Sequence, residues 1–268
     1  MTASVKPGLS SPGGADVRTT DRSRTTAPTA LAVDLGSNVV GVWAAHRGTV
    51  SGPCGDAFAP AGTLVRRGRV IDVDGCAALL EQLVRRYSDP IPAGGVVVVC
   101  RPVLADEDDQ AAMRRVVEIV FEPARVAFID TVRAAAIGSG AAAGTLLVAD
   151  LGAQLTEVAL LQEGRVMAAR RAELGTGDLS RGASADLISD IVVRHLEGLR
   201  RSAAAFEVES AMTRGMLLVG DGAVHPRLPA ALSAALRLHV HRAAAPRTAA
   251  LNGAGLAAMS LLHHPART

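Results

Sequence analysis

Two segments that lie far apart in this chain share one pattern of residues. Asp34 is followed two positions later by Gly36, and Asp150 is followed two positions later by Gly152, with a leucine in between each time. A carboxylate beside the backbone N–H groups of a tight glycine turn can hold a phosphate together with its metal ion. The repeat therefore predicts a duplicated fold with a ligand between its two halves.

The elements around each turn would place it at the end of a strand. In both copies an apolar strand precedes the turn, a second strand follows it, and a third begins after a later glycine. Apolar residues at helical spacing then alternate with short apolar runs, so each half has the order βββαβα. The sequence predicts an α/β fold with a duplicated core. Within it, residues 70–74 lead into the first helix, and a long helix runs from Leu179 to Arg200.

The same pattern divides the chain. We expect a first subdomain over residues 30–144, with the first turn, and a second over residues 145–262, with the second turn. Residues 1–29 are rich in Ser, Thr, Pro and Gly and almost free of apolar residues, so they are predicted to be a disordered tail. Residues 263–268 are predicted to be a second tail.

Composition excludes several classes of protein. The chain is 49% hydrophobic, its net charge is only +2, and Lys6 is its single lysine. A chain with a net charge this close to neutral is not expected to bind nucleic acid. Three cysteines without a C-x-x-C pair indicate reduced thiols, and no apolar run approaches the length of a membrane span. These features predict a cytoplasmic protein.

Further segments accompany the two turns in a defined order. They are an alanine-rich helix after Asp130, a turn at Gly175–Asp178, a turn at Gly220–Gly222 and a closing helix that contains glycines. In this order the segments resemble the actin-like ATPase superfamily, and within it the MreB-like, rod-shape-determining proteins. The resemblance extends from Leu31 to about Met259. It implies a ribonuclease H-like core of two inner subdomains, with ATP and Mg²⁺ between them.

The resemblance also assigns the residues of the site. Asp34 and Asp150 would position the metal through water, because Mg²⁺ keeps several waters when it binds to proteins. The turns would offer N–H donors to the phosphates, and a flat base could lie against the glycine backbone. The nucleotide-binding residues implied in this way are Gly36, Ser37, Asn38, Gly152, Ala153, Gln154, Gly177, Asp178, Gly220, Asp221 and Gly222. The alternative is that these glycines only form hairpin turns.

The chain departs from the family pattern at several of these positions. Thr131 stands where the family keeps a carboxylate that orients the attacking water, and a neutral hydroxyl orients water less strongly. Ala153 and Gln154 add side chains where backbone should approach phosphate, and Leu155 replaces a hydroxyl. Asp221 stands where a glycine is usual. We therefore expect at most a weak ATPase, and these changes also weaken the expectation that ATP is bound.

The connecting segments indicate a reduced protein. Only a short Gly/Pro-rich stretch joins Val50 to Leu64, and only residues 202–214 separate the long helix from the next strand. The family's outer subdomains would occupy these places, and without them ordinary filament growth is not expected.

The leading hypothesis is an MreB-like protein that acts in bacterial cell shape or cell-wall morphogenesis. It would act through contacts with other actin-like or cell-wall morphogenesis proteins, and the sequence does not support membrane contact. One alternative is an ATP-using enzyme, either a chaperone-type ATPase or a small-molecule kinase with Asp130 as its base. The other is a regulator of a full-length MreB-like filament.

Overall fold

The computed structural model describes Met1, residues 29–54 and residues 63–264 of the chain. In its first half the elements are β1 (Ala30–Leu35), β2 (Val39–Ala44), β3 (Gly48–Pro53), β4 (Val65–Arg66), β5 (Arg69–Val70), α1 (Val73–Val84), β6 (Val96–Arg101), α2 (Glu107–Phe121), β7 (Arg125–Asp130) and α3 (Thr131–Gly138). In its second half they are β8 (Thr145–Leu151), β9 (Thr156–Gln162), β10 (Arg165–Ala172), α4 (Ala185–Arg200), α5 (Ala205–Met212), β11 (Met216–Val219), α6 (Leu228–Leu236), β12 (Val240–Arg242) and α7 (Ala249–His263).

Two five-stranded sheets with the same topology form the frame of the molecule. The first has the order β3-β2-β1-β6-β7 and the second has the order β10-β9-β8-β11-β12. In each sheet the first three strands pair antiparallel and the last two are added in parallel. The α/β class and the duplicated βββαβα core are confirmed, and each half continues with one more strand and one more helix.

Helices cover both sheets, and the two halves share the layer between the sheets. Helix α7 of the second half packs against β1, β2 and β6, whereas α3 of the first half contacts β8 and β9. The remaining helices lie on the outer faces, with α1 and α2 on the first sheet and α4 to α6 on the second. Because each half packs one helix against the sheet of the other half, the two Asp-x-Gly turns are held at fixed positions relative to each other.

The crossing of α3 and α7 depends on two glycines. A Cβ atom on Gly253 would collide with the backbone carbonyl of Ala134, and one on Gly138 would collide with the carbonyl of Ala249. The two helix backbones are therefore in direct contact. Any side chain at either glycine would separate the helices.

The predicted start of the long helix was wrong. Helix α4 begins at Ala185 and not at Leu179, because Gly182 adopts a φ of +100° and the hydroxyl of Ser184 caps the helix by accepting from the N–H of Leu187. A short 3-10 turn, Thr176–Arg181, precedes this break.

The segment before α1 contains an element that was not predicted. Val70 belongs to a small antiparallel hairpin, β4–β5, and α1 starts only after Asp72, whose carboxylate accepts from the N–H of Gly75 at 2.8 Å. Strands of two residues carry no periodic pattern, so the sequence could not indicate them.

The predicted tails fall mostly outside the described residues. Thr29 is described and buried, and its carbonyl accepts from the N–H of Val96 at 2.9 Å, so regular contacts begin one residue before the predicted boundary. Helix α7 extends to His263 and includes the first residue of the second predicted tail. The predicted boundary between residues 144 and 145 falls between α3 and β8. Among the described helices, none has both the length and the apolar character needed to cross a membrane.

Candidate functional site

A cavity of about 320 Å³ lies between the two halves and is lined by both Asp-x-Gly turns. This volume is at the lower end of the range for small-molecule sites. The predicted site residues that line it are Asp34, Gly36, Ser37, Asn38, Thr131, Asp150, Gly152, Ala153, Gln154, Gly220 and Asp221. The structure therefore brings together both predicted carboxylates, both turns and the loop at Gly220.

Three predicted residues lie behind the cavity wall. The N–H of Gly177 donates to the carbonyl of Ala153 at 2.7 Å, and the carboxylate of Asp178 accepts from the N–H of Gly175 at 2.9 Å. Gly222 lies against the side chain of Leu151, where a Cβ atom would collide. In this structure these residues support the turns from behind and do not line the cavity.

Four carboxyl groups line the cavity, those of Asp34, Asp150, Glu157 and Asp221. Asp150 and Glu157 stand directly opposite each other on β8 and β9, are 8% and 4% exposed, and share the cavity with Asp34. Burial raises the pKa of Asp34 to about 6. Burial, reinforced by the charges of Asp34 and Asp221, raises the pKa of Asp150 to about 7. Burial is the largest cause of the raised pKa of Glu157, and the Asp150 charge is the next. The hydrogen bond from the Val103 N–H acts in the opposite direction and lowers this pKa. A bound cation would relieve this repulsion.

These shifts predict how the ligand-free protein responds to pH. An unfolded aspartate ionises near pH 4, whereas folded Asp34 and Asp150 hold their protons to about pH 6 and 7, so the folded state binds more protons in between. The contribution of these groups to stability should therefore fall as pH rises from about 4 to about 7. Thermal midpoints across this range should decline more in the wild type than in the double variant Asp34→Asn/Asp150→Asn. Parallel pH profiles would contradict the shifts.

The turns also offer hydrogen-bond donors. Ser37, Asn38, Ala153 and Gln154 lie between strands, and their backbone N–H groups have no partner among the described residues. The N–H of Gly152 is used differently, because it donates across its own turn at 2.9 Å. Free N–H groups next to carboxylates fit a phosphate with Mg²⁺. Across the described residues no group of three His, Cys, Asp or Glu side chains could hold a metal directly, so a cation would keep its own waters.

Thr131 lines the cavity, but its hydroxyl proton is already used in a hydrogen bond within the protein. Its hydroxyl donates to the carbonyl of Arg101 at 2.8 Å, so only its lone pairs remain for a water molecule. The neighbouring Asp130 accepts from Nε of Arg101 at 2.9 Å and does not line the cavity. Asp130 is thus paired with Arg101 and does not offer its carboxylate to the cavity.

A polar bridge connects the two halves at the loop that contains Gly220 and Asp221. The amide of Asn38, from the first half, donates to the carboxylate of Asp221 at 3.4 Å, and Nε of Arg247 donates to the same carboxylate at 2.8 Å. Gly220 has a φ of +79°, and a Cβ atom there would collide with the carboxylate of Asp150. Only glycine fits at this point.

Sequence reasoning missed several residues that line the cavity, among them Gly68, Pro102, Glu157 and Arg247. The charged Glu157 directly before the apolar run Val158–Leu161 was a sequence indication that could have been used. No sequence pattern marks the hairpin at Gly68 or the position of Arg247, because the chain brings them to the cavity only through its tertiary fold.

No protein-family model and no curated protein sequence matches this chain. Solved structures do. MreB5 of Spiroplasma citri is similar in its AMPPNP-bound form, with 15% identity and a TM-score of 0.74, and in its ADP-bound form, with 13% identity and the same TM-score. Both alignments cover 88% of this chain and 98% of MreB5. One chain of the PilM–PilN type IV pilus biogenesis complex aligns at 16% identity with a TM-score of 0.62. The alignment covers 85% of the present chain and 98% of the chain from that complex. The chain therefore has the duplicated actin-like fold that MreB5 and PilM share.

Proposed function

We propose that this chain binds a nucleotide with Mg²⁺ between its halves and acts as an MreB-like protein in bacterial cell shape or cell-wall morphogenesis. The observation that carries the proposal is that Asp34 and Asp150, from opposite halves, line one cavity whose turns have free N–H groups. The similar MreB5 structures, bound to AMPPNP and to ADP, support a nucleotide as the ligand.

Each group would have a separate task. Asp34 and Asp150 would hold waters of the metal, and the N–H groups of the two turns would hold phosphate oxygens. Bound Mg²⁺ would neutralise phosphate charge. Thr131 could accept a hydrogen bond from a water but could not take its proton, and Asp130 is paired with Arg101. This arrangement favours a ligand-binding protein with little or no hydrolysis over an ATP-using enzyme.

We further infer that the protein works through protein partners. The similar PilM chain belongs to a complex with PilN, which supports this general mode. In this chain the segment between α4 and β11 contains only the short helix α5, and the described part of the segment between β3 and α1 contains only the β4–β5 hairpin. Short segments there favour a protein that does not form ordinary filaments, and they keep open a role as a regulator of a full-length MreB-like filament. A cytoplasmic location is part of this proposal.

Equilibrium titration of the full chain tests the function. Nucleotide with Mg²⁺ should bind with micromolar affinity, and removal of the metal with a chelator should weaken binding by at least about tenfold, or about 1.4 kcal/mol. Release of phosphate from ATP should stay far below ordinary enzymatic rates of about 1 per second or more. Absence of binding at millimolar nucleotide would contradict the proposal, and ordinary turnover would favour the enzyme alternative.

A further inference from the structure

The β4–β5 hairpin of the first half lies against the second Asp-x-Gly turn. Its turn residues Arg67 and Gly68 have φ angles of +50° and +76°, as in a two-residue hairpin turn. Gly68 itself lines the cavity. The hairpin therefore forms part of the cavity wall next to the second turn.

Two residues of the second turn dock this hairpin. Oε1 of Gln154 accepts from the backbone N–H of Arg67 at 2.8 Å. A Cβ atom on Gly68 would lie 2.8 Å from Cδ1 of Leu155 and 2.6 Å from Cγ of Pro102, so the hairpin backbone touches both side chains. Leu155 is only 8% exposed. Gln154 and Leu155, which both depart from the MreB-like pattern, thus share the structural role of holding the β4–β5 hairpin against the second turn.

The docked hairpin leaves few hydrogen-bond donors for a further phosphate on the side of the cavity that it lines. The N–H of Arg67 is used by Gln154, and Leu155 presents an apolar surface. The guanidinium of Arg67 lies 4.0 Å from the carboxylate of Asp178, behind the cavity wall. Asp34, Asp150 and Glu157 already place acidic groups around the cavity, and each additional phosphate charge is repelled by them.

We propose that the docked hairpin makes this cavity selective for a nucleoside diphosphate over the corresponding triphosphate. The inference rests on the proposed nucleotide-binding function. The free N–H groups of the two turns hold two phosphates, and the hairpin with Leu155 closes the cavity where a longer phosphate chain would continue. Gln154 and Leu155 are therefore specificity-determining residues.

Titration of the full chain with Mg²⁺-ADP and with Mg²⁺-ATP tests the inference. ADP should bind at least about tenfold more tightly than ATP. The double variant Gln154→Gly/Leu155→Thr should bring the two dissociation constants within about threefold of each other. In hydrogen exchange, the Arg67 amide should be protected in the wild type and should exchange faster in this variant. Gln162→Ala, at an exposed glutamine on β9, is the matched control and should change neither measurement.

The outcomes separate the inference from the function on which it rests. ATP binding as tight as ADP, or an unchanged ratio in the double variant, would overturn the selectivity and leave nucleotide binding intact. Failure of both nucleotides to bind the wild type would overturn both. If the double variant does not fold, the single variant Gln154→Ala should lower the ratio of the ATP to the ADP dissociation constant by about threefold. An unchanged ratio in this single variant would also contradict the inference.

Discussion

Replacement of Gly253 by alanine should lower the free energy of unfolding by at least about 3 kcal/mol. The added Cβ atom would collide with the carbonyl of Ala134 and the backbone N of Gly138, and backbone atoms cannot rotate away as a flexible side chain can. Helices α3 and α7 would have to separate, and with them the apolar layer that both sheets share. Denaturant unfolding of the variant and the wild type measures the difference.

The matched control is Gly198→Ala in α4. Gly198 is also helical, but its added Cβ atom would meet only Nε of Arg170 at 3.3 Å, the end of a flexible side chain. Because alanine is the better helix former, this variant should be neutral or more stable by up to about 1 kcal/mol. Equal effects at Gly198 and Gly253 would show that α3 and α7 do not cross in direct backbone contact.

Replacement of Asp150 by asparagine should have opposite effects on stability and on binding. In the ligand-free protein the pKa of Asp150 is raised from 3.8 to about 7, so its charged form is disfavoured by the fold at neutral pH. Because removal of this charge relieves the penalty, the neutral variant should have a higher unfolding free energy than the wild type at neutral pH. The same variant should lose Mg²⁺-dependent nucleotide affinity by at least about 30-fold, or about 2 kcal/mol.

Both measurements must be made on one preparation at neutral pH. Asp190→Asn, at an exposed aspartate of α4, is the control and should leave stability and affinity unchanged. A destabilised Asp150→Asn protein would show that the carboxylate has a structural partner instead of a disfavoured charge. A stable variant with full Mg²⁺-dependent affinity would remove Asp150 from the metal site.

The sequence contained enough to predict the duplicated α/β core and the meeting of its two turns. Asp34 and Asp150 each end an apolar strand, and strands in the same position of two repeated units place their turns at equivalent points. The resemblance to actin-like proteins supplied the order of the remaining segments. The structure bears out the fold, whereas the roles of the site residues stay predictions.

Other features depend on tertiary contacts that leave no local pattern. The β4–β5 hairpin has strands of only two residues, and the contact of Gln154 with Arg67 joins residues far apart in the chain. The importance of Gly253 follows from its approach to Ala134, which no helical periodicity reveals. In the sequence, Gln154 adds a side chain where backbone should approach phosphate and Leu155 replaces a hydroxyl, but their contacts with the hairpin are visible only in the folded structure.

A crystal structure of the full chain grown with Mg²⁺-ADP would show directly whether a nucleotide lies between the two Asp-x-Gly turns. We expect the diphosphate between the turns at Gly36–Asn38 and Gly152–Gln154, with waters of the Mg²⁺ ion hydrogen-bonded to Asp34 and Asp150. A nucleotide bound at another surface, or a cavity without nucleotide at saturating ligand, would contradict this expectation.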